Sequence, residues 1–178
     1  PLSEDTYRKL LAIENLDYIK DSSGDFLNLQ KFIKTGGRVF CGIDSFAPFA
    51  LISGCTGMIW GAVNFMPHEC VKLFNLIEEK KYLEAMDLWK LMEPVCLWLG
   101  GNRHEVDYLT GIKAAANLSG RDMGPPRKPL PNVAAPARHD LRIAMSKLPI
   151  NHTTNNRLVW RDWQEEKDWL IQSSIKRN

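Results

Sequence analysis

Two hydrophobic periods take turns along the first 65 residues, and a single helical one takes over afterwards. Residues 16–20 (Leu-Asp-Tyr-Ile-Lys) are a short apolar-rich run. It stops at the turn signal Asp21-Ser22-Ser23-Gly24, the pattern of a buried strand. Arg38-Val39-Phe40-Cys41 and Gly57-Met58-Ile59-Trp60 repeat that pattern. Helical spacing fills the intervals. Ser3-Glu4-Asp5-Thr6 opens a helix with a cap and an acidic first turn, and Tyr7, Leu10 and Leu11 carry it to a stop near Asn15. A second helix starts at Asp25, with Phe26, Leu29, Phe32 and Ile33 on one stripe, and Thr35-Gly36-Gly37 closes it. Residues 46–53 form a third, short helix. Strands of four or five residues alternating with helices predict βα units and a parallel sheet.

From Met66 onward the pattern is wholly helical. Cys70, Leu73, Phe74 and Ile77 make one stripe, and Tyr82, Ala85, Trp89, Met92 and Cys96 make another at 3-4-3-4 spacing. Such stripes of methionine and aromatic residues read as core. Pro94 predicts a kink or an end to that second helix, and Gly100-Gly101 a break. Further helices are predicted over 105–119 and 134–148, joined by a rigid extended connector at 124–129 (Gly-Pro-Pro-Arg-Lys-Pro). The tail changes in kind, opening on a polar stretch and then holding Trp160, Trp163 and Trp169. Three segments follow: a βα part over 1–65, a helical region over 66–150 and an atypical tail over 151–178.

Composition narrows the function classes. The 178 residues are 44% hydrophobic, enough for a solvent-excluded core, and no apolar run reaches the ~18 residues of a bilayer span. With 23 basic against 21 acidic side chains the net charge is +2, too balanced for a nucleic-acid binder held by a positive field. Cys41, Cys55, Cys70 and Cys96 are scattered without a C-x-x-C pair, which predicts reduced thiols and no metal site. Residues 1–5 lack the basic start and apolar core of a signal peptide. Together these predict a cytoplasmic protein without membrane or nucleic-acid partners.

Lys20 is the chemically informative residue. It ends a predicted strand, on the same face as Tyr18, and strand C-termini open onto the active face of a (β/α) barrel. Position alone leaves two readings: a lysine ion-paired at a strand end, or a desolvated amine able to attack a ketone.

The segment Ile19-Lys20-Asp21-Ser22-Ser23-Gly24-Asp25 resembles the I-K-[DE]-[SAT]-[ST]-G-D segment of the dihydrodipicolinate synthase/N-acetylneuraminate lyase family. Gly42-Ile43-Asp44 resembles that family's G-x-D loop after strand seven. Gly54-Cys55-Thr56-Gly57-Met58-Ile59, with Asn64 and Pro67 beyond, resembles its strand-eight signature. Ile112-Lys113-Ala114-Ala115, Gly120 and residues 124–130 resemble its C-terminal helical region. The ordered set covers roughly residues 3 to 150 and is specific where no single motif is.

The resemblance implies an α/β fold: the C-terminal part of a TIM (β/α)8 barrel, about strands six to eight, followed by helices. It implies a class I aldolase-type lyase, usually homotetrameric, that uses no cofactor and acts on pyruvate or another 2-oxo acid. Lys20 matches the imine-forming lysine. Ser22, Gly42 and Asp44 match substrate-facing positions, and Ile59 matches a residue whose carbonyl lies against the lysine. Plainer readings stand beside two of these: a turn glycine for Gly42 and a helix N-cap for Asp44.

Departures bear on substrate. Trp60 stands where the sialic-acid lyases have a small hydroxyl residue and Ser45 where they have an acidic one, which disfavours a long polyhydroxy chain. Ile43 replaces the polar residue common in the synthase loop. None of Tyr7, Tyr18, Tyr82 and Tyr108 sits in the Y-N-x-P segment that carries the family's general acid, and Thr153-Thr154 falls in the tail. Aligned this way, the chain starts just before strand six and is expected to be incomplete as a catalyst, because three strands cannot close an eight-stranded barrel. The alternative is a non-catalytic helical interaction module or an inactive barrel fragment.

Overall fold

The computed structural model describes residues 2–101 and 105–148; the tail tryptophans Trp160, Trp163 and Trp169 lie outside the described residues. Helix α1 (Glu4–Leu10) begins at the predicted cap, where Ser3 Oγ accepts the Thr6 N–H at 3.1 Å. Acidic residues in its first turn and basic ones in its last oppose the helix dipole. It ends at Leu10, short of Asn15. The intervening residues form turns, and Asn15 itself takes a positive φ of 66°.

Strand β1 (Tyr18–Asp21) is followed by α2 (Phe26–Lys34), capped by the Asp25 carboxylate accepting the Asn28 N–H at 3.0 Å. Gly36, at φ 87°, supplies the left-handed residue that ends α2. Strand β2 (Arg38–Cys41) leads through a 3-10 turn at Asp44–Phe46 into α3 (Ala47–Ile52), then β3 (Gly57–Met58). A second 3-10 turn at Gly61–Asn64 precedes α4 (Pro67–Glu78), α5 (Tyr82–Gly100), α6 (Tyr108–Leu118) and α7 (Ala135–Met145). Pro94 does not end α5. Val95, Cys96 and Leu99 beyond it are buried, and that burial offsets the missing backbone donor.

The three strands form one parallel sheet in the order β1-β2-β3. Tyr18 pairs with Arg38 and Asp21 with Cys41; Phe40 pairs with Gly57 and Cys41 with Met58. In-register parallel pairing places alternate residues of neighbouring strands on common faces. Val39 and Cys41 join Tyr7, Leu29, Phe32, Ala50 and Cys55 in a buried core, with Ile19 and Met58 packed against it. Tyr7 meets Phe32 edge-on at 5.3 Å, a contact that adds about 0.5–1.5 kcal/mol to simple burial. Tyr18, Lys20, Arg38 and Phe40 therefore share the opposite face. There Tyr18 stacks on Phe40 at 5.5 Å, and the Arg38 guanidinium lies 5.1 Å over the Tyr18 ring and donates to its hydroxyl.

The sequence predicts a buried β1, and this is corrected. Among the described residues β1 has one neighbouring strand, so its outward residues stay open and Tyr18 is 47% exposed.

The backbone packs as two units that interleave along the chain. One comprises residues 2–60 and 68–89; the other comprises residues 61–67 and the described residues between 90 and 148. The first holds the sheet and its core. In the second, Asp107 caps α6 by accepting the Leu109 and Thr110 N–H groups at 2.9 and 3.2 Å. The Tyr108 hydroxyl accepts the Gly61 N–H at 2.9 Å. Lys113 Nζ donates to the Met123 carbonyl at 2.7 Å, and Asn117 Oδ1 accepts the Met123 N–H at 3.0 Å, folding the connector back onto α6. Among the described residues no helix is long and apolar enough to cross a membrane.

Gly37 gives the core a direct test. A Cβ there would lie 2.8 Å from Tyr7 Cζ and 3.0 Å from Leu11 Cδ1, against a ring with no exposed surface. Gly37→Ala should lower stability by about 1–3 kcal/mol in urea unfolding. Tyr7→Phe removes a buried hydroxyl that has no partner, so it should be near neutral alone and recover only part of the loss in the double variant.

Candidate active site

The predicted site residues converge where the β1–β2 ladder ends. The Gly42 N–H donates to the Asp21 carbonyl at 2.8 Å, and the Ile59 N–H to the Cys41 carbonyl at 2.9 Å, so three strand ends are tied side by side. Lys20 stands on β1 just before this point, on the face turned away from the helix-packed core, and is exposed.

Its side chain runs across Gly42. A Cβ at Gly42 would lie 2.5 Å from Lys20 Cε and closer still to Ser22 Oγ. Lys20, Ser22 and Gly42 thus form one cluster. The nearest carboxylate in sequence is occupied elsewhere: Asp21 accepts the Ser23 N–H at 3.0 Å and the Ser23 hydroxyl at 3.2 Å. No ion pair holds Lys20 among the described residues.

Ile59 is drawn in through its bond to Cys41 and is 47% exposed. Asp44 lies differently. It is 4% exposed, engaged within the fold, and its charge acts on the thiols of Cys41 and Cys70. Nor is it a helix cap: Ile43 and Phe46 occupy the cap positions of the 3-10 turn and of α3, with no side-chain cap bond. The φ of Gly42 lies outside the left-handed region, so its torsion does not require glycine.

Sequence reasoning missed the floor of the site. Tyr18, Arg38 and Phe40 lie on the lysine's own face, and the alternation that put Tyr18 beside Lys20 extends to β2 once the register is known. Gly57 belongs there too; a Cβ on it would approach the Phe40 ring at 3.1 Å. The thiols of Cys41 and Cys55 lie in the core on the other face. All four cysteines are buried and none is in a disulfide. Burial raises the Cys41 thiol, with Asp21 and Asp44 adding to the rise and Lys20 and the Ile43 backbone contact opposing it. Burial pushes Cys55 up to about 12, helped by Cys41 and Asp21, and raises Cys70, helped by Asp44 and Glu69. Among the described residues no group of three His, Cys, Asp or Glu side chains could hold a metal ion.

The chain is similar to known proteins. The model of the dihydrodipicolinate synthetase family matches residues 1–148. A DapA-like lyase of Pyrobaculum arsenaticum is 34% identical over 138 residues, 73% of this chain and 46% of that protein. A 4-hydroxy-tetrahydrodipicolinate synthase of Prochlorococcus marinus is 25% identical over 150 residues, 83% of this chain and 48% of that protein. The chain spans about half the length of the curated relatives it matches. The crystal structure of dihydrodipicolinate synthase DapA-2 from Bacillus anthracis superposes with a TM-score of 0.74 at 27% identity, over 83% of this chain and 50% of that one.

The raised thiols set a pH dependence. Each is protonated in the fold at pH values where the unfolded thiol, near 9, has already ionised. The folded state then binds more protons, so this stability is complete below pH 9 and is lost as pH rises toward 12. The urea midpoint should fall between pH 8.5 and 11, and less steeply in Cys55→Ala.

Proposed function

Because this chain belongs to the dihydrodipicolinate synthetase family, whose members are class I aldolase-type lyases, we propose that it carries the imine-forming part of a lyase acting on pyruvate or a similar short 2-oxo acid. The observation that carries this reading is the placement of Lys20. It is an amine with no carboxylate partner among the described residues, at the carboxyl end of a parallel strand, on the face opposite the helix-packed core. In this reading β1, β2 and β3 are strands six, seven and eight of a (β/α)8 barrel, and α4 to α7 belong to its C-terminal helical region. The order of the matched motifs along the chain supports the assignment.

The chemistry follows from an amine and a 2-oxo acid. The Lys20 nitrogen lone pair adds to the keto carbon, giving a carbinolamine. Protonation of its hydroxyl and loss of water leave a protonated imine, which is the electron sink. The electron pair of a broken C–C bond, or of a departing C–H proton, then flows into the sink as an enamine; for C–O cleavage that enamine returns its pair and expels the β-hydroxyl, which leaves with its bonding pair and a proton as water. Water adding back to the imine carbon releases product and restores the amine. Ser22 and Gly42 flank the reacting nitrogen. Ile59 presents its backbone nearby, and Asp44 sits in the loop that follows Gly42. Trp60, next to Ile59, favours short substrates over long polyhydroxy chains. We place the protein in the cytoplasm, where four buried thiols outside any disulfide stay reduced, and expect it to self-associate as the family does.

Incubation with pyruvate and sodium borohydride, followed by peptide mass spectrometry, tests the assignment. One reduced pyruvyl adduct per chain should appear, on Lys20, and Lys20→Ala should abolish it. Label spread evenly over the lysines, or undiminished by that substitution, would leave the chain as a packing module without imine chemistry.

A further inference from the structure

Gly42 has a role that its substrate-facing position in the family does not describe. Its φ lies outside the left-handed region, so the backbone would accept any L-residue there, and the missing side chain serves space. Three groups occupy that space. A Cβ would stand 3.2 Å from the Asp21 carbonyl oxygen, 2.5 Å from Lys20 Cε and nearer still to Ser22 Oγ. Since Lys20 Cε and Ser22 Oγ each lie 2.5 Å or less from that one point, at most 5 Å separates them. The hydroxyl and the carbon bearing the amine are held together over a bare Cα.

We propose that Gly42 is a positioning residue: its bare Cα is the saddle on which the Lys20 stem rests beside the Ser22 hydroxyl, fixing where the amine meets a carbonyl. This rests on the assignment of Lys20 as the imine lysine for its consequence in chemistry, but not for its geometry. The obstructed atoms are of a kind that makes the effect specific. Lys20 Cε and Ser22 Oγ are ends of exposed side chains that can swing away, while the Asp21 carbonyl is only closely approached. A methyl group at position 42 therefore displaces the amine and leaves the fold in place. Gly37 is the contrast, because there a methyl meets the buried Tyr7 ring, which has nowhere to go.

The test uses the full chain labelled at lysine 13Cε, as wild type, Gly42→Ala, and Gly42→Ala combined with Ser22→Ala. The Lys20 Cε resonance should move in Gly42→Ala while the other lysines keep theirs and the urea midpoint stays at the wild-type value. Borohydride trapping of pyruvate at Lys20 should fall at least tenfold. The double variant should keep the displaced resonance, since removing the hydroxyl does not clear the methyl from the lysine stem. An unmoved Lys20 resonance, or trapping at the wild-type rate, overturns the proposal. A shifted resonance with no adduct even in the wild type would sink the imine assignment and leave the saddle standing.

Discussion

The parallel ladder between β1 and β2 is the constraint on which the rest of the sheet unit depends. Its register fixes which residues face the helices and which face away, because side chains alternate with a strict period of two. A slip of one residue would drive Lys20 toward Leu29 and Phe32 and turn Ile19 to solvent. Burying an unpaired ammonium costs several kcal/mol, so the apolar core enforces the register that keeps the amine outside it. The core and the candidate site are two faces of the same pairing.

That pairing ends where the site begins. Beyond Asp21 and Cys41 the strands part, and the backbone bonds from Gly42 to Asp21 and from Ile59 to Cys41 hold the departing loops side by side. Beneath lies a layer of large side chains: Tyr18 stacked on Phe40, with Arg38 across the Tyr18 ring. Above it the residues become small or flexible. Two glycines, Gly42 and Gly57, adjoin the lysine and the phenylalanine, each supplying room rather than an unusual torsion. Large floor, bare rim and one long amine are the features on which the proposed imine chemistry rests.

Charge is distributed to the same effect. The carboxylate next to the lysine, Asp21, is spent on the turn that follows, and Asp44 is buried with its field on Cys41 and Cys70. The thiols of Cys41 and Cys55, raised by burial, are poor nucleophiles and lie in the sheet's core, while the Lys20 amine is exposed on its open face.

Much of this was legible in the amino-acid sequence because it is local. The caps at Ser3 and Asp25, the glycine stop after α2, the bounds of β2 and the identity of Lys20 follow from propensity, periodicity and motif, which act over a few residues. The family resemblance was legible for the same reason, as ordered short segments. Burial of β1 was not, since an apolar run cannot report how many neighbours its strand will have; nor was the passage of α5 through Pro94, which depends on what covers the far side of the helix. The meeting of Lys20, Ser22 and Gly42 over one Cα joins Gly42 to residues twenty and twenty-two positions before it, and the burial of Asp44 is likewise set by tertiary packing. The order of residues determined which groups could do chemistry; only the closing of the parallel ladder decided which of them share a face, because register and strand neighbours are properties of contacts between segments.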